Sequence, residues 1–311
     1  MNNNSEQQKG VIYAAFSYIL WGILPIYWKF LDHVGAEEIL ANRVLWSFVF
    51  MLLVLLLTNK WQVFIKTIRG FTANKRQLLA LSIASILISI NWFLYIWAVN
   101  TGQMIEASLG YYINPLVSVL LGLIFFKEKL SQAQIFSFSL AAIGVLIMTI
   151  SYGKFPFIAV TLALSFGLYG LAKKLIKVDS AVGLALETMV VTPIAAVYLL
   201  LLIINDKSTL FTVSWSTSFL LIGAGVATAV PLLYFAKGAQ KIPLSMLGLL
   251  QYIAPTLTLL LGIFIYGEAF SKTHLLAFTF IWAALTIYSL SRTKLAIALE
   301  VKWRKEKSSH M

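Results

Sequence analysis

Charged side chains inside long apolar segments are the first places where this sequence could do chemistry, since a charge there is costly and usually functional. Arg43 carries a permanently charged guanidinium whose planar fork of donors suits a carboxylate. Glu187 carries a carboxyl, the type of group that takes up and releases a proton in coupled transport. Lys29 ends a stripe of residues spaced four apart, formed with Ser17, Trp21 and Pro25. Arg43, Glu187 and Lys29 are therefore candidates for substrate binding or coupling.

Each of these charges also has a structural interpretation. Arg43 could clamp backbone carbonyls or the carboxylate of Glu37 or Glu38, and Glu187 could hydrogen-bond a neighbouring Thr or Tyr. Lys29 is near the end of its segment, where a lysine extends its ammonium toward water. Arg43 and Glu187 enter their segments from opposite sides of the membrane, which predicts a separation of ~10 Å along the membrane normal. We therefore do not expect them to form an ion pair with each other.

Uncharged polar groups next to prolines form a second set of candidates. Asn114 immediately precedes Pro115, and Gln251 lies four residues before Pro255. A proline inside a helix has no N–H to donate to the carbonyl of the previous turn. That carbonyl therefore lacks its helical hydrogen bond and becomes available to a ligand. The helix-break candidates are Pro25, Pro115, Pro193, Pro231 and Pro255. The candidate walls of a cavity are Asn91, Trp21, Trp92, Tyr95, Tyr112, Tyr169 and Tyr252. Aromatic residues in membrane proteins also serve in packing and in interfacial belts.

The composition defines the elements that must position these residues. The chain has 311 residues, of which 60% are hydrophobic and 12% charged, whereas globular domains average about 45–50% apolar and about 25% charged. Ten apolar segments are long enough to span a bilayer as helices. They lie at 11–31, 38–57, 77–98, 104–126, 132–151, 155–172, 181–204, 217–236, 243–266 and 273–291. This pattern leaves no room for large extramembrane domains or nucleic-acid binding, and the lack of Cys excludes disulfides and thiolate chemistry.

The basic residues predict the orientation of the ten helices. Nineteen of the 24 Lys and Arg residues fall at the two termini and in the connections on their side, and three fall on the other side. Cytoplasmic connections carry the excess of Lys and Arg, so we expect both termini in the cytoplasm. The basic segment from Trp61 to Phe71 is either a helix at the cytoplasmic interface or a solvated loop.

An internal repeat divides the chain into two halves. At a shift of 140 residues, Tyr112–Pro115 corresponds to Tyr252–Pro255. The halves, residues 1–152 and 153–311, hold five spans each, and the second ends in a basic tail. Because five is odd, the second half must be inverted relative to the first. Inverted repeats are typical of secondary transporters, whose substrate site lies near the membrane midplane between the halves. Further corresponding pairs, at shifts of 148 and 144, are Trp21 with Tyr169 and Arg43 with Glu187.

Short motifs along the chain resemble a known family. In the first half they are Trp21-Gly22, Glu38-Ile39-Leu40, Asn91-Trp92, Ile96-Trp97-Ala98-Val99-Asn100, Glu106-Ala107-Ser108-Leu109-Gly110-Tyr111 and Ile113-Asn114-Pro115-Leu116. In the second half they are Tyr169-Gly170, Glu187-Thr188-Met189, Pro231-Leu232-Leu233, Gln251-Tyr252-Ile253 and Tyr266-Gly267-Glu268. The chain resembles the drug/metabolite transporter superfamily, of the EamA type with two five-helix repeats, and within it the RarD group. Lys127-Glu128 departs from the pattern, because such repeats commonly carry Gly before that Glu. The resemblance implies a ten-helix carrier in the plasma membrane and does not imply a substrate.

The repeat and the buried charges predict a secondary active transporter of small organic metabolites or drugs that works by alternating access. Export is the expected direction, and a proton or another gradient is the expected driving force. The expected partners are a small-molecule substrate and the lipid bilayer, with the protein a monomer or homodimer and without cofactor or metal. The alternatives are an integral membrane enzyme and a receptor or scaffold. We expect no enzymatic activity, because His33, His274 and His310 are scattered and no nucleophile–base pair or phosphate loop occurs.

Overall fold

The computed structural model describes residues 2–70, 75–100, 103–176, 178–267 and 271–291, which form a bundle of helices. The first six helices are α1 (Asn2–Lys29), α2 (Ala36–Leu57), α3 (Trp61–Gly70), α4 (Lys75–Asn100), α5 (Met104–Phe126) and α6 (Gln132–Tyr152). The next six are α7 (Phe157–Leu175), α8 (Ser180–Ile204), α9 (Trp215–Ala239), α10 (Leu244–Leu250), α11 (Ile253–Phe264) and α12 (Lys272–Ser291). The predicted all-α class is confirmed, since the described residues contain no strand. The predicted basic tail, residues 292–311, lies outside the described residues.

Ten of the helical segments are long and apolar enough to cross a membrane, as the sequence predicts. Nine are single helices within the described ranges, and the ninth span in chain order combines α10 and α11. A turn at Gln251 and Tyr252 separates these two helices. Helix α3 covers the basic segment after α2, and Phe64 on this helix is buried. The segment is therefore helical from Trp61 to Gly70, whereas its place at the cytoplasmic interface stays a prediction and Phe71 lies outside the described residues.

Most of the packing joins the first five spans to the last five. Helix α1 packs on α9 and α11, α2 on α8 and α9, α4 on α7 and α8, α5 on α7 and α10, and α6 on α12. Two glycines permit close approaches of this kind. A Cβ on Gly225 of α9 would overlap Trp46 of α2, and a Cβ on Gly248 of α10 would lie 2.8 Å from the carbonyl oxygen of Pro115 in α5. The core of the bundle thus forms mainly between the halves.

Polar contacts join the connections at each end of the bundle. At the end that holds the N-terminus, the N-terminal face, Lys60 forms an ion pair with Asp179 at 2.6 Å. At the other end, the opposite face, Glu38 accepts a hydrogen bond from the N–H of Thr209 at 2.8 Å. Each contact joins chain segments that the alternation of ten spans assigns to the same end of the bundle. The two contacts are therefore consistent with ten alternating spans.

Candidate functional site

A cavity of about 220 Å³ lies in the bundle between α1, α2, α4, α5, α7, α11 and the turn that separates α10 from α11. It extends from mid-bundle toward the opposite face, since its wall includes Trp28 near the end of α1 and Ser108 near the start of α5. The lining side chains are Tyr18, Trp21, Leu24, Pro25, Trp28, Arg43, Asn91, Trp92, Tyr95, Ser108, Tyr111, Tyr112, Asn114, Phe166, Gln251, Ala254, Pro255 and Thr258. Aromatic rings dominate this wall, and hydroxyls, amides and one guanidinium supply its polar groups.

Among the described residues that line the cavity, Arg43 alone carries a full charge. Its Nε donates a hydrogen bond to Oγ1 of Thr228 in α9 at 2.9 Å. The guanidinium carbon lies 4.6 Å from the ring centre of Trp28 and 5.2 Å from that of Trp92, within the range of cation–π contacts. No carboxylate of the described residues forms an ion pair with Arg43. The cavity thus contains an oriented cation without a protein counter-ion.

The three amides of the cavity differ in their partners. Asn91 donates from Nδ2 to the carbonyl of Leu162 at 2.9 Å and to Oγ of Ser165 at 3.0 Å, so it also holds α4 on α7. Gln251, in the turn before α11, accepts from Oγ of Ser118 at 3.4 Å. Asn114 is 4% exposed, and its Oδ1 accepts no hydrogen bond within the described part of the chain. A buried acceptor left in this way costs about 1–3 kcal/mol, so Asn114 is the amide most in need of a ligand.

An aromatic layer, formed by Tyr18, Trp21, Phe166, Tyr169 and Phe235, lies at the mid-bundle end of the cavity. Trp21 and Phe166 line the cavity and are 5.8 Å apart between ring centres. Phe235 contacts both rings and stacks on Tyr169 at 5.8 Å. Phe235 and Tyr169 are fully buried, and neither lines the cavity. The layer therefore separates the cavity from the side chains nearer the N-terminal face.

Glu187 lies beyond the aromatic layer, in an ion pair. Its carboxylate lies 2.7 Å from Nζ of Lys173 and accepts a hydrogen bond from the hydroxyl of Tyr169 at 3.2 Å. The side chains of Lys173 and Glu187 are 4% and 3% exposed. The sequence places Lys173 in a connection, but α7 continues to Leu175 and buries it, so that assignment is wrong. Cations in the last turn of a helix favour this extension, because they complement the exposed carbonyls there.

Many of the residues that the sequence selects as site candidates come together at the cavity. Those that line it are Trp21, Pro25, Arg43, Asn91, Trp92, Tyr95, Tyr112, Asn114, Gln251 and Pro255. Lys29 does not line it, because its side chain is 64% exposed at the end of α1 and pairs with Asp32 at 3.3 Å. Tyr169 belongs to the aromatic layer, and Tyr252 is fully buried with its hydroxyl donating to the carbonyl of Tyr112 at 3.2 Å.

Of the five prolines predicted to break helices, four do not, and the fifth lies close to a break. Pro25, Pro115, Pro193 and Pro231 lie inside helices that continue through them. The ninth span is interrupted at Gln251 and Tyr252, a few residues before Pro255. A helix can continue through a proline because only one hydrogen bond is lost and neighbouring helices support the chain.

Several lining residues were not selected from the sequence. Trp28 follows Trp21, Leu24 and Pro25 at helical spacing, and Tyr111 lies three residues before Asn114, so periodicity on α1 and α5 could have identified both. Thr258 lies three residues after Pro255 and seven after Gln251, on the stripe that these residues form along the ninth span, so periodicity points to it as well. Phe166 gives no comparable signal, because apolar residues occur on every face of α7.

Ten apolar helices around a central cavity with one cation define a multi-pass membrane protein of the transporter class. Residues 8–150 match the EamA-like transporter family. An uncharacterized transporter of Bacillus subtilis, YojE, is 50% identical over 307 residues, which cover 99% of each chain. Protein RarD of Escherichia coli is 42% identical over 283 residues, 91% of this chain and 94% of that one. The chain belongs to the EamA-like transporter family, and its predicted resemblance to the RarD group is confirmed.

A solved crystal structure of another protein shares the fold alone. It has a TM-score of 0.67 and 18% sequence identity, and the match covers 90% of this chain and 97% of that chain.

Proposed function

We propose that the protein is a secondary active transporter that exports small organic metabolites or drugs across the plasma membrane by alternating access. The observation that carries the proposal is the central cavity, which reaches toward one face and ends at the aromatic layer. A substrate site near the middle of the bundle, accessible from one side at a time, is what alternating access requires. An enzyme would need reactive groups that the cavity wall does not supply among the described residues.

The proposal includes two inverted halves, residues 1–152 and 153–311. In support of it, exchanging the halves converts the packing of α1 on α9 into that of α7 on α4, and the packing of α5 on α7 into that of α11 on α1. One hydrogen bond joins repeat partners directly, since Tyr252 donates to the carbonyl of Tyr112. Two halves that can exchange their arrangements have two states of similar energy, which is the basis of the transport cycle.

In the second state the cavity would face the N-terminal face and be lined by repeat partners of the present wall. Tyr169 corresponds to Trp21 and Glu187 to Arg43, while Leu232 and Phe235 stand 140 residues after Trp92 and Tyr95. The aromatic layer must therefore open, and the Lys173–Glu187 pair must come into contact with substrate or water.

Thiol accessibility tests this cycle, because the chain has no Cys of its own. Tyr95→Cys and Phe235→Cys occupy corresponding positions, one on the cavity wall and one in the aromatic layer. In oriented vesicles, we expect a membrane-impermeant thiol reagent to reach Tyr95→Cys from the opposite face and Phe235→Cys from the N-terminal face. Substrate should change the two rates in opposite directions. Ala277→Cys in α12 is the buried control and should stay unreactive. Reaction of both thiols from the same face would contradict alternating access.

Flux measurements test the energy source and the direction. We expect accumulation in vesicles to follow an imposed gradient without ATP, with Glu187 as the group that takes up the coupling proton. Uptake that persists with all gradients collapsed and ATP present would contradict the secondary mechanism. Both termini are proposed to be cytoplasmic, so a reporter active only outside the cell and fused after Lys307 should stay silent.

A further inference from the structure

We infer that the cavity selects small organic acids that carry a hydrogen-bond donor in addition to the carboxylate. The inference rests on the proposed function, because it names the substrate class of the same site. Two unsatisfied groups of opposite character in one cavity support it. Arg43 has no carboxylate partner, and Oδ1 of Asn114 accepts no hydrogen bond, both within the described residues.

The environment of Arg43 favours an anion over a neutral or cationic ligand. The bond from Nε to Thr228 and the rings of Trp28 and Trp92 hold the guanidinium in place, so little freedom is lost when a ligand binds. A guanidinium fork binds a carboxylate through two parallel hydrogen bonds. A cationic ligand would meet Arg43 with no carboxylate on the cavity wall to offset the repulsion. The charge of the ligand is thereby set to negative.

The environment of Asn114 adds the second requirement. The oxygen of Gln251 accepts from Ser118, whereas Asn114 is the one of the three cavity amides whose oxygen is fully buried without a hydrogen-bond partner in the described part of the chain. At 4% exposure this oxygen has little access to bulk water. An N–H or O–H group of the ligand would remove the cost of leaving it unpaired. A ligand without such a group would leave this oxygen buried and without a hydrogen bond.

The volume and walls of the cavity limit the rest of the molecule. About 220 Å³ is below the roughly 300–1,000 Å³ of pockets that hold drug-sized ligands. Rings of Trp21, Trp28, Trp92, Tyr95 and Tyr111 form much of the wall. Such walls favour a flat apolar body. The cavity therefore suits an acid with one ring system, which is a metabolite rather than a large drug.

Four matched probes separate charge from donor. Indole-3-acetate has both a carboxylate and an N–H, 1-methylindole-3-acetate lacks the N–H, indole-3-acetamide lacks the charge, and tryptamine is a cation. Binding is measured by calorimetry and thermal shift on the purified full-length protein. We expect indole-3-acetate to bind about tenfold or more tightly than the amide. It should bind about three- to tenfold more tightly than the methylated acid, and tryptamine should bind least. If the amide or tryptamine binds as tightly as the acid, or none of the four binds, the inference is wrong.

Variants assign each preference to its residue. Arg43→Gln should bind the acid no better than the amide, and Arg43→Lys should retain part of the preference because it keeps the charge but not the fork. Asn114→Leu should bind the methylated and unmethylated acids equally. Ser139→Ala, in α6 and away from the cavity wall, should leave all preferences unchanged. An acid preference that survives in Arg43→Gln overturns the assignment.

Because binding is measured at equilibrium, its failure differs from failure of the transport proposal. A protein that transports other molecules but ignores the acids keeps its proposed function and overturns the substrate class. A protein that binds the acids but shows no flux and no alternating thiol accessibility does the reverse.

Discussion

The buried Lys173–Glu187 pair allows a quantitative test of what lies beyond the aromatic layer. Glu187→Gln removes the negative charge but leaves the ammonium of Lys173, only 4% exposed, without its partner at 2.7 Å. Breaking a buried ion pair on one side costs about 3–5 kcal/mol, because the remaining charge stays desolvated. With roughly 2–4 °C per kcal/mol, the midpoint of thermal unfolding should fall by on the order of 10 °C. Lys173→Met should cause a loss of similar size.

The double variant separates the pair from its two members. In Lys173→Met/Glu187→Leu no charge remains to be buried, and apolar replacement of a buried ion pair is often neutral or stabilising by about 1–4 kcal/mol. We therefore expect the double variant to recover most of the stability that each single variant loses. Unfolding is followed by fluorescence of the nine tryptophans in detergent or lipid.

The exposed ion pair between Lys29 and Asp32 provides the control for the stability measurement. Asp32→Asn removes an ion pair whose side chains are 64% and 60% exposed, so its loss should stay below about 1 kcal/mol. If the double variant is as unstable as the sum of the single variants, the burial argument is refuted.

If Glu187 carries the coupling proton, the stable double variant should lose transport driven by a pH gradient and retain part of the exchange at equal concentrations. Parallel loss of both activities would indicate a structural role alone.

Three further predictions follow from other contacts. Arg43→Lys should lower transport about tenfold while unfolding changes by only about 1 kcal/mol, because the fork is lost but the charge stays; normal transport by an unstable variant would indicate a structural clamp. Gly225→Ala should lower stability by about 1–3 kcal/mol through overlap with α2, whereas Gly183→Ala, which meets no atom within 4 Å, should be neutral or stabilising on the same assay. Burial raises the pKa of Asp179, but Lys60 and two backbone N–H groups lower it by more, so the net pKa lies below the ordinary value. The stabilisation that Asp179 provides should therefore be lost as the pH falls through that lowered pKa, and Asp179→Asn should flatten the stability–pH curve there.

The ten helices could be predicted from sequence because membrane burial leaves a long, uniform signal. A backbone in lipid must satisfy its own hydrogen bonds, so each apolar segment had to be a helix. Much of the cavity wall was predictable for a related reason. Arg43, Asn91, Asn114 and Gln251 are polar where polarity is costly, and the structure gathers all four at one cavity.

The features that the sequence did not reveal are contacts between residues that lie close in space but belong to different helices. The partner of Glu187 could not be identified, since Lys173 resembles its neighbour Lys174 as a basic residue at the end of an apolar segment. Only the length of α7 and its contact with α8 show that Lys173 points inward. The four prolines that lie inside continuous helices were wrongly expected to break them, for a similar reason. Whether a proline breaks a helix depends on the helices packed around it, which local sequence does not encode.

The positions of the charges give the proposed cycle a chemical asymmetry. Arg43 and Glu187 correspond to each other in the proposed repeat, yet one is an unpaired cation on the cavity wall and the other is half of a neutralised pair beyond the aromatic layer. On the proposed cycle, an organic acid facing Arg43 meets a guanidinium that is charged near neutral pH, so its binding there should depend little on pH in that range. On the N-terminal face, the same acid must compete with Glu187 for Lys173. A proton on Glu187 would release Lys173 to the acid, and by linkage the acid would favour that proton. Acid and proton would then move in the same direction through a single exchange of partners, so export would be driven by the outward gradient of the acid itself, with no separate proton site.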